Sequence, residues 1–176
     1  FPAEFEESAL GQVPQTWRIG TVEDLFVLQR GFDLPANRRT PGSVPVLAAS
    51  GHNGTHSEAM AAGPNVTTGR SGVIGKVFYV HEAFWPLNTS LWVKEFKAAT
   101  PVYAFHALKA LDLKRLNARS AVPTLNRNHV HGQASLIPPA DIIATYTRIA
   151  ESLLLRQRLG EQQAENLAAL RDTLLP

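Results

Sequence analysis

Histidine pairs, acid–base dipeptides and glycine-rich turns are the places where this chain could hold chemistry. His52 and His56 stand four residues apart, a spacing that on a helix would aim two imidazoles at one metal ion. Gly51 and Gly54 break a helix there and no third ligand lies near, so no metal site is assigned. Glu95-Phe96-Lys97 matches the Glu-x-Lys half of a metal-dependent nuclease site, but no Pro-Asp dipeptide precedes it. A nuclease would need more carboxylates, Glu82 among them, gathered at one ion. Gly69-Arg70-Ser71-Gly72-Val73-Ile74-Gly75 is spaced like a phosphate-cradling loop. It leads into a β-branched run instead of a helix, and no Gly-Lys-Ser/Thr follows. The absence of cysteine removes disulfides, thiolate metal sites and cysteine nucleophiles together. No serine, histidine and acid fall into a hydrolase spacing. No catalytic residue is assigned.

What the chain does offer is hydrogen-bond donors and positive charge. Arg38, Arg39, His52, Asn53, Arg70, Lys76, Arg119, Asn126, Arg127, Asn128 and His129 fall in loop-like or strand-edge stretches. Arg and Asn make bidentate contacts to guanine and adenine edges, and Lys neutralises phosphate. The net charge of +2 is unevenly spread. Residues 1–28 hold one basic and five acidic side chains, residues 29–130 hold twelve and five, and residues 131–176 hold four and five. A cationic middle between acidic ends is where a polyanion would bind.

The elements that must position these groups divide at Pro138-Pro139. At 176 residues, with 44% hydrophobic and 18% charged side chains, a real core is feasible and global disorder is not expected. Residues 14–28 read as a strand leading to a short helix. Eleven Gly and Pro residues between 30 and 72 forbid long helices and imply short strands, Val44 to Ala49 the clearest. Val73 to Val80 reads as a buried strand, His81-Glu82-Ala83 as a turn, and Leu87 to Val93 as the next strand. Val102 to Leu111 reads as a short helix with Val102, Phe105 and Leu108 on one face.

From Asp141, the expected N-cap, to Leu175 there is no proline and one glycine, Gly160. Alternating steps of four and three pick out Ile142, Tyr146, Ile149, Leu153, Arg156, Gly160, Gln163, Leu167, Leu170 and Leu174, a coiled-coil stripe with a polar centre. Thirty-five residues at about 1.5 Å each reach roughly 52 Å, too far to lie against a small domain. This helix needs a partner helix. The fold class is therefore α+β: a β-rich domain with short helices over 1–139, then one long coiled-coil helix over 140–176. No apolar run is long enough for a membrane helix, and Phe1 to Glu7 is acidic and unlike a signal peptide. The chain starts at Phe1, not Met, and an excerpt of a longer protein is the expectation.

Several stretches resemble the specificity subunit of type I restriction–modification enzymes. Phe1-Pro2-Ala3-Glu4-Phe5-Glu6-Glu7-Ser8-Ala9-Leu10-Gly11-Gln12-Val13-Pro14-Gln15-Thr16-Trp17 looks like the lead-in to that family's second target-recognition domain. Gly69 to Val77 looks like its glycine-punctuated strand, followed by Asn88-Thr89-Ser90-Leu91. Pro123-Thr124-Leu125-Asn126-Arg127 is similar to the segment before the last strand, and Ile137-Pro138-Pro139 to the entry into the conserved helix, which Leu167 to Pro176 would end. The family's Pro-Pro-Leu-x-Glu-Gln is here Pro138-Pro139-Ala140-Asp141-Ile142-Ile143.

The resemblance implies one target-recognition domain and one conserved helix, where a complete family chain has two of each. It suggests a C-terminal half, or a short half-subunit that dimerises. It further implies that the domain clamps half of a bipartite site on double-stranded DNA. The helix, through Ile142, Tyr146, Ile149, Leu153, Leu167, Leu170 and Leu174, would pair antiparallel with the helix of the second recognition domain or of a homodimer mate. Methyltransferase subunits using S-adenosylmethionine and a restriction subunit using ATP and Mg would join in a bacterial or archaeal cytoplasm, with no cofactor in this chain and no membrane partner. A stand-alone metal-dependent nuclease and a protein-interaction adaptor acting through the helix remain the alternatives.

Overall fold

The computed structural model describes residues 4–117 and 123–174. A hairpin of β1 (Phe5–Ser8) and β2 (Gly11–Pro14), exposed except where Val13 and Pro14 are buried, opens the described chain. After β3 (Arg18–Thr21), the single-turn helix α1 (Val22–Leu25) starts at Thr21, whose backbone N–H and hydroxyl both donate to Asp24 Oδ2, at 2.8 and 3.1 Å. This is a capping arrangement that satisfies the helix's free start. The strand-then-helix expectation for residues 14–28 holds, and the chain then returns at once to strand in β4 (Phe26–Arg30).

The central sheet is antiparallel, in the order β4, β10 (Ser90–Phe96), β7 (Asn65–Gly69), β8 (Val77–Val80). Alternation along β10 decides both cores. Leu91 and Val93 face a cluster with Phe26, Leu28 and Val66, covered by Ala104 and Leu108 of α2 (Pro101–Ala110) and by Leu113, Leu125 and Val130. Trp92, between them, packs on the other face against Leu47, Ala61, Val80 and Phe84. Leu47 belongs to a smaller sheet, in which β5 (Val44–Ala48) lies between β6 (Gly51–His56) and β9 (Trp85–Pro86). β11 (Ala134–Ile137) closes the head by pairing with β3, and α3 (Arg127–His131) precedes it.

The structure corrects three sequence expectations. The strand expected from Val73 starts at Val77, because Gly72 and Gly75 take φ of +85° and +93°, which interrupts extended backbone. The strand expected at Leu87 to Val93 runs from Ser90 to Phe96. β7, buried at every position, escaped notice because its Asn65, Thr67 and Thr68 erase the apolar signal. Thr68 is tolerated inside because its hydroxyl donates to the Lys76 carbonyl at 2.8 Å.

The long helix α4 spans Ala140–Leu174, so Asp141 lies in its first turn and is not its N-cap. Ile143 and Ala150 are buried against the head. The Thr147 hydroxyl is 2.6 Å from that of Thr100, and the Tyr146 hydroxyl is 2.6 Å from Nδ1 of His106 on α2. Arg158 makes a 4.0 Å ion pair with Glu82. Beyond it, every described residue of the helix is exposed except the half-buried Ala168. No helix among the described residues is long and apolar enough to cross a membrane.

Phe26 has no exposed surface and joins α1, the sheet and the helical cover. Phe26→Ala is expected to destabilise the head by about 3–5 kcal/mol, measured by chemical denaturation.

Candidate nucleic-acid interface

One row of paired residues crosses the central sheet: Arg30 on β4, Leu91 on β10, Thr68 on β7 and Val77 on β8. Just past this row the strands give way to loops, and the cations Arg30, Arg70 and Lys76 collect at that end. Three strand spacings at about 4.8 Å each put roughly 14 Å between the outer strands. Backbone hydrogen bonds join the loops. Arg70 N–H donates to the Thr89 carbonyl at 2.8 Å, Gly31 N–H to Ser90 at 3.1 Å, and Leu125 N–H to the Arg70 carbonyl at 2.8 Å. Asn126 therefore emerges beside Arg70.

Arg70 is half-buried and its Nε donates to the Asn88 carbonyl at 2.9 Å. The Asn88 side chain in turn donates to Asp33 Oδ1. Burial lowers the affinity of Arg70 for its proton and neighbouring Arg30 lowers it further, while Asp33 acts the other way. Two guanidiniums thus share the field of one carboxylate, an arrangement that an added anion relieves. Arg30 and Asp33 had no signal in the sequence beyond their charge. Their role comes from strand register.

A second group lines a cleft of about 270 Å³ at the outer edge of β4, bounded by Glu23, Gln29, Lys94, Arg127, Asn128 and His131. Lys94 reaches it because β10 bulges there: Val93 pairs with Leu28 and Glu95 with Val27, leaving Lys94 between them unpaired. A bulge re-aims a side chain in this way. Asn126 caps α3 by accepting from the Asn128 N–H at 2.9 Å, so Arg127 and Asn128 sit exposed at the helix start. His129 is exposed on the same short helix.

The third group lies on the smaller sheet. Arg39 donates through Nη1 to the Asn53 carbonyl and through Nη2 to Asn53 Oδ1 at 2.8 Å, beside the exposed Arg38. His52 is not part of it. Next to Asn53 on β6, it lines a cleft of about 490 Å³ with Leu154, Gln157 and Arg158 of α4. Arg119 lies outside the described residues. The structure thus brings Arg70, Lys76 and Asn126 together, places Arg127 and Asn128 along the neighbouring edge, and keeps Arg38, Arg39 and Asn53 apart.

The other candidate chemistries find less support. His56 is buried on β6 and accepts from the Thr40 N–H through Nδ1 at 3.0 Å, a bond within the fold. Glu95 is exposed opposite Val27, whereas Glu82 pairs with Arg158 on α4. Among the described residues no three His, Cys, Asp or Glu side chains gather to hold a metal. On α4, Ile149, Leu153, Leu167, Leu170 and Leu174 are all more than half exposed, and Ile142 is 38% exposed. Tyr146 is the exception in the stripe, being drawn in against Tyr103 and His106.

Residues 14–149, over three-quarters of the chain, match the family described as the type I restriction modification DNA specificity domain. No curated protein matches. The fold resembles that of the S subunit of the type I restriction–modification system of M. genitalium, at 17% identity and a TM-score of 0.67, over 89% of this chain and 42% of that one. It also resembles the HsdS subunit of Thermoanaerobacter tengcongensis, at 14% identity and a TM-score of 0.60, over 96% and 42%. A chain from a structure on complex assembly and conformational transition of the type I R-M system aligns at 12% identity and a TM-score of 0.66, over 96% and 46%. This chain spans less than half the length of each.

The paired guanidiniums generate a test that needs no knowledge of the ligand. Arg30→Gln is expected to leave the head as stable or raise its stability by up to about 1 kcal/mol, measured by denaturation. The same change should bring the protein off an immobilised polyanion at lower salt.

Proposed function

The chain belongs to the type I restriction modification DNA specificity domain family, and from that premise we propose that its head reads one half of a bipartite sequence on double-stranded DNA. The observation that carries this reading is the convergence of cations at one end and one edge of the sheet, on loops and a short helix held by a rigid core. Arg30, Arg70 and Lys76 neutralise phosphates. Arg127, Asn126 and Asn128, with planar donor groups at the exposed start of α3, reach base edges. Arg39 and Asn53 form a separate contact on the smaller sheet.

The helix sets the distance to a second head. Its outward stripe pairs antiparallel with the equivalent helix, in the same protein or in a homodimer mate. Roughly 52 Å of helix corresponds to about fifteen base pairs at 3.4 Å each. Methyltransferase and restriction subunits dock on this scaffold and bring S-adenosylmethionine, ATP and Mg with them. The chain itself recognises and does no chemistry, and it works in the cytoplasm of a bacterium or archaeon. What supports the partner assignments is the family and the uncovered stripe.

Binding should weaken steeply with salt. Neutralising Arg30, Arg70 or Lys76 should lower affinity for every sequence and flatten the log–log salt slope by about 0.9 per lost phosphate contact. Asn128→Ala or Arg127→Ala should cost about 1–3 kcal/mol, mainly at one base position. Filter binding of the complete protein to a set of half-site variants measures both. An adaptor that works through the helix alone would assemble and act normally after charge reversal at Arg38, Arg39 and Arg70.

A further inference from the structure

His131 is a buried, titratable group that the DNA-reading scheme does not use. It ends α3, is 7% exposed, and accepts a hydrogen bond through Nε2 from the backbone N–H of Leu28 at 2.9 Å, across 103 residues of sequence. Leu28 lies on β4, whose other side pairs with β10, so this N–H belongs to the open edge of the sheet. An unpaired edge donor that is buried must find an acceptor. Here the acceptor comes from the same short helix that presents Arg127 and Asn128.

We propose that His131 is the positioning residue that fixes α3, and with it Arg127 and Asn128, against the DNA, and that protonation of its ring releases them. This rests on the DNA-reading function above. The chemistry is one proton. An Nε2 that accepts from Leu28 must carry no hydrogen, so the ring is neutral with its proton on Nδ1. Adding a second proton turns Nε2 from acceptor to donor and sets two N–H groups against each other.

The surroundings favour the neutral ring. Burial lowers the proton affinity of His131 most. Glu23 of α1 opposes this, and Arg127 of α3 and Lys97 beyond β10 add to it. Lys94 and Gln29 line the same cleft. With its affinity lowered in the docked state, the ring takes up a proton more readily when α3 is undocked. Docking is therefore complete above the ordinary histidine value of 6.5 and is lost progressively as pH falls below it. Isolated helices of five residues are unstable, so α3 keeps its place through Val130, buried in the core, and through this bond, which ties its last turn to the sheet edge.

The conservative variant is His131→Gln. Its side-chain oxygen lies as many bonds from the backbone as Nε2, accepts from Leu28, and does not titrate. DNA affinity of the complete protein and of this variant is measured from about pH 8 to about pH 5. The two should bind alike at the alkaline end. Toward acid the wild-type should fall behind by about threefold to tenfold, with a limiting slope of one proton. Taking the ratio removes the effect of other histidines. His131→Asn, whose oxygen is one bond short, should bind weakly at every pH.

A second measurement needs neither DNA nor a variant. The hydrogen-exchange protection factor of the Leu28 amide should fall in acid while those of central strand β10 hold. Parallel pH profiles for wild-type and His131→Gln, or a Leu28 amide whose protection ignores pH, would overturn the proposal. Failure of the DNA-reading function looks different. Neither protein would then bind any DNA at any pH while Leu28 still became labile in acid, and that result overturns the DNA part of the inference alone.

Discussion

Strand β10 must bury both of its faces, and the rest of the head follows from that requirement. Leu91 and Val93 call for a cover on one side and Trp92 on the other, so the sheet is enclosed by helices on one face and by the β5 sheet on the opposite one. A sheet enclosed on both faces can meet another molecule only at its strand ends and open edges. The cations are found there: Arg30, Arg70 and Lys76 at one end, Lys94 and Arg127 along the edge of β4. Because the loops bond to one another through backbone groups, the backbone that carries these cations is held in place, and Arg70 is fixed further by its bond to the Asn88 carbonyl. Binding then loses less conformational entropy than it would with free loops.

The long helix obeys a different constraint. It is docked over its first half through Ile143, Thr147 and Ala150, and its outward residues Ile149, Leu153, Leu167, Leu170 and Leu174 have no cover within the described chain. Two sets of polar contacts accompany this packing. One is the pair of short polar contacts to α2, and the other is the Arg158–Glu82 ion pair at the point of departure. Polar contacts of this kind accept a narrower range of geometries than apolar packing does.

Much of this was legible from residues alone. The alternating four–three stripe after Pro139 identified the helix and its uncovered side, because a 3.6-residue repeat over thirty-five residues is a strong periodic signal. The glycines and prolines of residues 30–72 announced short strands, and the charge distribution pointed to the middle of the chain. β7 was illegible because Asn65, Thr67 and Thr68 are polar yet buried, Thr68 through a hydroxyl bond to the Lys76 carbonyl that no local pattern reveals. The early start assigned to β8 failed because β-branched residues at 73 and 74 look the same in a loop as in a strand.

By itself, then, the sequence determined the class of fold, the cationic composition of the middle, and the order of motifs that carries the family likeness. These are properties of composition and of periods shorter than one element. Only the tertiary structure decided which cations share a surface. Arg30 joins Arg70 through strand register, Lys94 joins Arg127 through a bulge, and His52 turns away from Asn53 to face the helix. It also joined His131 to Leu28 across 103 residues. Contacts of that range depend on how strands pair and where a ladder slips, and the free energy that selects them comes from the whole core, not from the residues that meet.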